Sequence, residues 1–128
     1  MVPLMKFMLC SEQGEEEWRQ VEQVEVLLRT LYLLSPTRLE IYVITNSLNI
    51  YQSILEPVME WNTDSRLSLH QVAVRYPAGL ESLLDMFRVC STARLFLDQM
   101  LPEVDSGIFL DTDTLVMDDI RALWSHFK

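Results

Sequence analysis

Four short apolar runs alternate with longer stretches whose apolar residues recur every three or four positions. The runs, at residues 4–10, 39–45, 68–75 and 107–110, have the length and β-branched or aromatic content of strands. Between the first two, Val21, Val24, Leu27, Leu28, Leu31 and Leu34 line one face of a helix. That spacing predicts a helix from about Trp18 to Leu34. Glu12 and Glu15 to Glu17 precede or open it, where acids suit the positive end of the macrodipole. Ser35-Pro36-Thr37 stops it.

Asn46-Ser47 reads as a turn and cap for a second helix over 50–61, with Ile50, Ile54, Leu55, Val58 and Met59 as its apolar set. Pro57 lies inside, predicting a kink or an early end. After the loop Pro77-Ala78-Gly79, helices are expected over 80–87 and 90–100, the second closed by Pro102. Asp118 and Asp119 cap a last helix over 120–127. Strand and helix therefore alternate four times. That order predicts an α/β fold, a mainly parallel sheet with helices on both faces. Ligands of such sheets sit beyond the carboxyl ends of the strands, where strand order reverses. Strands one and four are the natural neighbours across that switch.

The fourth strand runs into Asp111-Thr112-Asp113. In an extended backbone, residues two apart project to the same side. Asp111 and Asp113 would then aim two carboxylates together, a site for a hard divalent cation that could bridge to phosphate. Alternatively both are simply turn residues, a common role for Asp. The position at the carboxyl end of strand four favours the cation site. A calcium-binding EF-hand loop is excluded. Counting from Asp111, the sixth position is Val116 rather than Gly, and the twelfth is Ala122 rather than Glu.

Charge narrows the partners. The 128 residues carry 19 acids and 10 bases, a net charge of −9. Sequence-independent nucleic-acid binding needs a basic surface, so no nucleic acid is expected. Docking on anionic lipid is disfavoured for the same reason. A nucleoside diphosphate remains compatible if a cation mediates. Cys10 and Cys90 lie far apart among apolar residues, with no CxxC or Cys/His cluster. They read as buried free thiols. His70 and His126 read as isolated. No apolar stretch reaches the ~20 residues that span a bilayer, and residues 1–9 make a poor signal peptide, so no targeting signal is read in the chain.

The segments Cys90-Ser91-Thr92-Ala93-Arg94-Leu95-Phe96-Leu97, Leu101-Pro102-Glu103-Val104-Asp105 and Phe109-Leu110-Asp111-Thr112-Asp113-Thr114-Leu115 resemble the family 8 retaining glycosyltransferases, the glucoside xylosyltransferases in particular. Asp118-Asp119-Ile120 and Trp124 continue the match. Leu27-Leu28-Arg29-Thr30, residues 41–46 and residues 55–61 fall in register upstream. The resemblance implies a GT-A, Rossmann-like nucleotide-sugar-binding fold, of which residues 1–128 would form the N-terminal, donor-binding part.

It further implies transfer of xylose from UDP-xylose, with retention, to O-linked glucose on a glycoprotein such as an O-glucosylated EGF-like repeat. Asp111 and Asp113 take the place of the metal and donor motif, with Mn²⁺ as the cation. Arg94 matches the basic donor-binding residue, expected near the donor sugar or Asp111. No catalytic residue is expected within the chain. The acceptor region and a later metal-binding histidine are expected downstream. The full-length protein is expected in the ER or Golgi lumen on a type II membrane anchor that is absent here. One departure concerns the strand-one loop, where the family reads C-G-x-R and is expected to contact the uridine. Cys10-Ser11-Glu12-Gln13 has neither the Gly nor the Arg. A non-catalytic remnant that keeps only the nucleotide-sugar-binding half is the competing reading. A phospho-receiver-like domain is not, since no fifth strand with its lysine follows.

Overall fold

The computed structural model describes residues 4–12, 17–76, 78–80 and 89–126. Four parallel strands form one sheet in the order β3-β2-β1-β4. They are β1 (Met5–Cys10), β2 (Leu39–Ile44), β3 (Leu67–Val72) and β4 (Ile108–Phe109). The chain steps outward from β1 to β2 to β3, then returns to the other side of β1. The reversal of strand order therefore lies between β1 and β4, as the alternating pattern implied. β1 pairs with β2 along its whole length, from Met5↔Leu39 to Cys10↔Ile44. With β4 it shares only Phe7↔Ile108 and Met8↔Phe109.

Strand alternation sends β1 into two cores. Met5, Phe7 and Leu9 enter the larger one, with Leu39, Ile41 and Val43 of β2. Helix α1 (Glu17–Leu34) covers this face through Val24, Leu27, Leu28 and Leu31, all fully buried. Helix α2 (Leu48–Trp61) adds Ile50, Ile54 and Val58. Each fully buried aliphatic side chain is worth about 1.5 to 3 kcal/mol relative to exposure. On the opposite face, Met8, Cys10 and Ile44 meet Ala93, Met100 and Leu101. Helices thus cover both faces.

The helical stripes are narrower than the periodicity suggested. Leu34 and Met59 are exposed, Met59 by 68%. Leu34 is the last residue of α1 and Met59 falls one position past Val58, off the buried stripe. Pro57 neither kinks α2 into two segments nor ends it early; the helix runs to Trp61. Ser47 caps α2 as its place before the helix implied, its side chain accepting from Ile50 N–H at 3.2 Å. β3 stops at Val72 rather than Arg75.

The second half departs further. The helix expected over 80–87 falls, apart from Leu80, outside the described residues. The single helix expected over 90–100 is three pieces: α3 (Val89–Ala93), a 3-10 turn (Arg94–Phe96) and α4 (Leu97–Met100). Phe96 leaves helical geometry at φ −125° and ψ 29°, and its ring packs edge-on against Tyr76 at 5.6 Å. Tertiary anchors at both ends of the segment override a regular helix: Cys90 is tied to β1, and Met100 and Leu101 are sunk in the second core. The last helix, α5, spans only Arg121–Trp124. Asp119 accepts from Arg121 N–H at 3.0 Å, while Asp118 accepts from Asp119 N–H.

Two expectations about single residues are overturned. Cys10 and Cys90 are not free thiols; they form a disulfide with a Cα–Cα separation of 5.6 Å. The fold brings the last residue of β1 beside the start of α3, a proximity that 80 residues of sequence separation concealed. His70 is not isolated. Parallel pairing sets Tyr42 beside it, their rings stack at 5.1 Å, and its Nε2 bonds the Glu40 carboxylate.

Candidate donor site at the sheet switch

Two loops leave the sheet side by side at the point where strand order reverses. The first follows β1. Ser11 N–H extends the pairing to Ile44 C=O at 3.1 Å, which leaves Ser11 almost fully buried. Gln20, in the opening turns of α1, then fixes the loop. Its Oε1 accepts from the Ser11 hydroxyl and from Glu12 N–H, both at 3.2 Å. Because a backbone N–H can only donate, Gln20 must present its carbonyl oxygen here.

The second loop carries Asp111 and Asp113. Leu110 N–H bonds Met8 C=O at 2.8 Å, the last sheet contact. The backbone then turns: Thr114 N–H returns to Asp111 C=O at 3.1 Å. The extended geometry expected for Asp111-Thr112-Asp113 is therefore absent, because β4 pairs with β1 over two residues only and no ladder holds the aspartates straight. The turn reading holds, yet both side chains still line one cavity. Thr112 points back to α1, its hydroxyl 3.2 Å from Gln23 Oε1. Val116 N–H reaches Thr30 Oγ1 at 3.3 Å. Leu110, Val116 and Ile120 sink into the larger core on either side.

A third wall comes from the segment after α3. Arg94 Nη1 lies 3.9 Å from Asp111 Oδ1, and the guanidinium stands 5.9 Å from the Phe109 ring centroid. Both charged side chains are more than half exposed, 52% for Arg94 and 64% for Asp111. Such a pair contributes at most about 1 kcal/mol to stability. Its significance is placement. The three walls enclose a cavity of about 350 Å³, at the small end of the ~300 to 1,000 Å³ typical of ligand sites. Asp111, Asp113 and Glu12 bring negative charge to it, and Arg19 and Arg94 bring positive charge.

The three residues singled out in the sequence, Arg94, Asp111 and Asp113, thus converge. Their donor set suits a hard cation: two carboxylates with solvent access, the remaining positions open to water or phosphate oxygens. Among the described residues, no cluster of three or more His, Cys, Asp or Glu side chains is arranged to hold a metal. Any cation bound here would take at most two protein carboxylates from the described chain.

Sequence reasoning missed Glu12, Gln20, Gln23 and the disulfide as parts of the site. Gln20 and Gln23 are spaced i, i+3 along the polar edge of the α1 stripe. That spacing is a usable signal, but a solvated helix edge looks the same.

No family model matches the chain. Glucoside xylosyltransferase 1 of Mus musculus is 25% identical over 112 residues, 85% of this chain and 27% of the mouse protein. The chain thus spans about a quarter of that curated relative's length. Among solved structures, mouse xyloside xylosyltransferase 1 superimposes with a TM-score of 0.66 at 16% identity, covering 98% of this chain and 49% of that one. The galactosyltransferase LgtC, solved with donor and acceptor sugar analogs, gives 0.64 at 16% identity, covering 94% and 42%. The chain has the fold of part of a GT-A domain, and its sequence is similar to glucoside xylosyltransferases.

Proposed function

We propose that this chain is the N-terminal, donor-binding part of a family 8 retaining glycosyltransferase that takes UDP-xylose as donor. The observation that carries the reading is the meeting of Asp111, Asp113 and Arg94 in one cavity at the switch between β1 and β4. Asp111 and Asp113 would hold Mn²⁺ through hard carboxylate oxygens. The cation supplies charge neutralisation for a departing diphosphate. Arg94 adds a planar, permanently charged donor suited to phosphate or to the Asp111 carboxylate. Ser11 and Gln13 stand where the family loop carries Gly and Arg, so base recognition would fall to other groups around the cavity.

The acceptor in this reading is O-linked glucose on a glycoprotein such as an O-glucosylated EGF-like repeat. It would be engaged by parts of the full-length enzyme beyond this donor floor. The disulfide supports a place in the secretory pathway, the ER or Golgi lumen, since disulfides persist in oxidising compartments. No described helix is long and apolar enough to cross a membrane. A type II anchor would belong to another part of the full-length protein.

The test is calorimetric titration of UDP in the presence of Mn²⁺ into the chain and its Asp113→Ala variant. Binding by the chain and its loss in the variant are expected. Equal heats from the two would overturn the assignment. In the full-length enzyme the same substitution should remove most xylosyl transfer.

A further inference from the structure

We propose that the Cys10–Cys90 disulfide is a positioning element for Arg94, so that the cavity's affinity for a nucleoside diphosphate depends on that bond. The inference rests on the donor-binding reading above. Helix α3 has five residues, too few to be stable without outside support. The contacts at its first turn supply that support. On one side Cys90 is bonded covalently to Cys10, the last residue of β1, and Cys90 N–H donates to Glu12 Oε2 at 3.2 Å. On the other, the Tyr76 hydroxyl meets Val89 C=O at 3.3 Å and Thr92 Oγ1 at 2.8 Å.

Arg94 follows Cys90 by four residues, about one helical turn. Its placement over the cavity therefore depends on where that first turn is held, together with the burial of Thr92 and Ala93 beside it. Among the described residues, the contacts at the guanidinium end are weak, the Phe109 ring lying 5.9 Å away. The Asp111 contact is 3.9 Å long and solvent-exposed, and such pairs are weak. The carboxylates, by contrast, are secured elsewhere, through the β4 pairing with β1 and the Thr112–Gln23 bond. Breaking the disulfide should release Arg94 and leave Asp111 and Asp113 in place.

A double-mutant cycle tests this on the full chain, with Mn²⁺ alone and Mn²⁺ plus UDP as probes. The Arg94→Ala variant and the Cys10→Ser/Cys90→Ser pair should each weaken UDP binding by roughly tenfold, the scale of one charge-assisted contact. Combining them should be no worse than Arg94→Ala by itself, and affinity for Mn²⁺ alone should not change. A fully additive loss, an equal loss of Mn²⁺ affinity, or no loss at all would each overturn the proposal. If the serine pair does not fold, Tyr76→Phe removes the hydroxyl tie on the other side of that turn, at Val89 C=O and Thr92 Oγ1, in the disulfide-bonded chain. It should weaken UDP binding where Arg94 is intact and have no further effect when added to Arg94→Ala; the reverse pattern overturns the claim. Failure of the unmutated chain to bind UDP would instead sink the donor-binding reading. The positioning claim would then be decided by amide hydrogen exchange in the serine pair, or in Tyr76→Phe. Faster exchange over 89–96 with 108–114 unchanged is expected, and unchanged exchange over 89–96 overturns it.

Discussion

Residues 5–72 and residues 89–126 are built in opposite ways. The first region has three six-residue strands and two helices of 18 and 14 residues. Its position is secured by a continuous apolar core, and any one contact is a small part of the total. The second region has a two-residue strand and α-helices of five, four and four residues. Besides a few side chains sunk in the two cores, such as Ala93, Met100 and Val116, it is held by points: the Cys10–Cys90 bond, Thr112 on Gln23, Val116 on Thr30, and Ile120 N–H on Ser35 Oγ at 3.4 Å. Each point is anchored in the first region. A rigid layer thus carries a set of loops whose geometry is decided one tie at a time. Candidate binding groups sit on the loops, where a short segment can be aimed without repacking a core.

That contrast can be broken most severely in the first region. Leu28 is fully buried between α1 and the sheet, and Leu28→Ala should cost about 3 to 5 kcal/mol through lost burial and a residual cavity. Leu95, in the second region, is 67% exposed, and Leu95→Ala should change stability by less than about 0.5 kcal/mol. Denaturant unfolding of both variants measures the difference. Similar losses would mean that Leu95 is packed as tightly as the buried face of α1.

The disulfide comes next. Replacing both cysteines by serine should cost roughly 2 to 4 kcal/mol, since the bond closes a long loop in the unfolded chain. Urea unfolding followed by tryptophan fluorescence would read this. Removing a single hydrogen-bonded tie should matter less. Gln23→Ala deletes the acceptor for Thr112 and should cost about 0.5 to 1.5 kcal/mol. It should also weaken Mn²⁺ binding, because the aspartate turn loses its brace; an unchanged metal titration would show that β4 suffices to place the turn.

The smallest effect concerns pH. The hydrogen bond from the Arg121 side chain, with a backbone bond and the cationic charge itself, holds the Asp119 carboxyl below its ordinary pKa. A folded pKa below the unfolded one gives stability that is present above the unfolded value, ~4, and lost as pH falls through the folded value. Asp119 is only half-buried and its partner Arg121 is exposed, so the contribution is small. The melting-temperature gap between the unmutated chain and Asp119→Asn should narrow on acidification from pH 6 toward pH 3. A gap that widens would show the sign to be wrong.

Local pattern was enough to establish the alternating order, the parallel sheet and the first region nearly residue by residue. Period-two and period-3.6 spacings repeat often enough in long elements to be unambiguous. The same reading singled out Arg94, Asp111 and Asp113, because D-x-D after an apolar run is a compact signal and the likeness of residues 90–124 to a known family is dense. The rest was settled by packing. Whether residues 90–100 form one helix depends on anchors at Cys90 and Met100. Whether Asp111 and Asp113 lie extended or in a turn depends on how far β4 pairs with β1. The pairing of Cys10 with Cys90, of Glu12 with the start of α3, and of Gln20 and Gln23 with two different loops all arise where β1, β4, α1 and α3 meet. Those residues are 8 to 89 positions apart in the chain. A local pattern carries no information about such distances, and only the closed sheet brings them into contact.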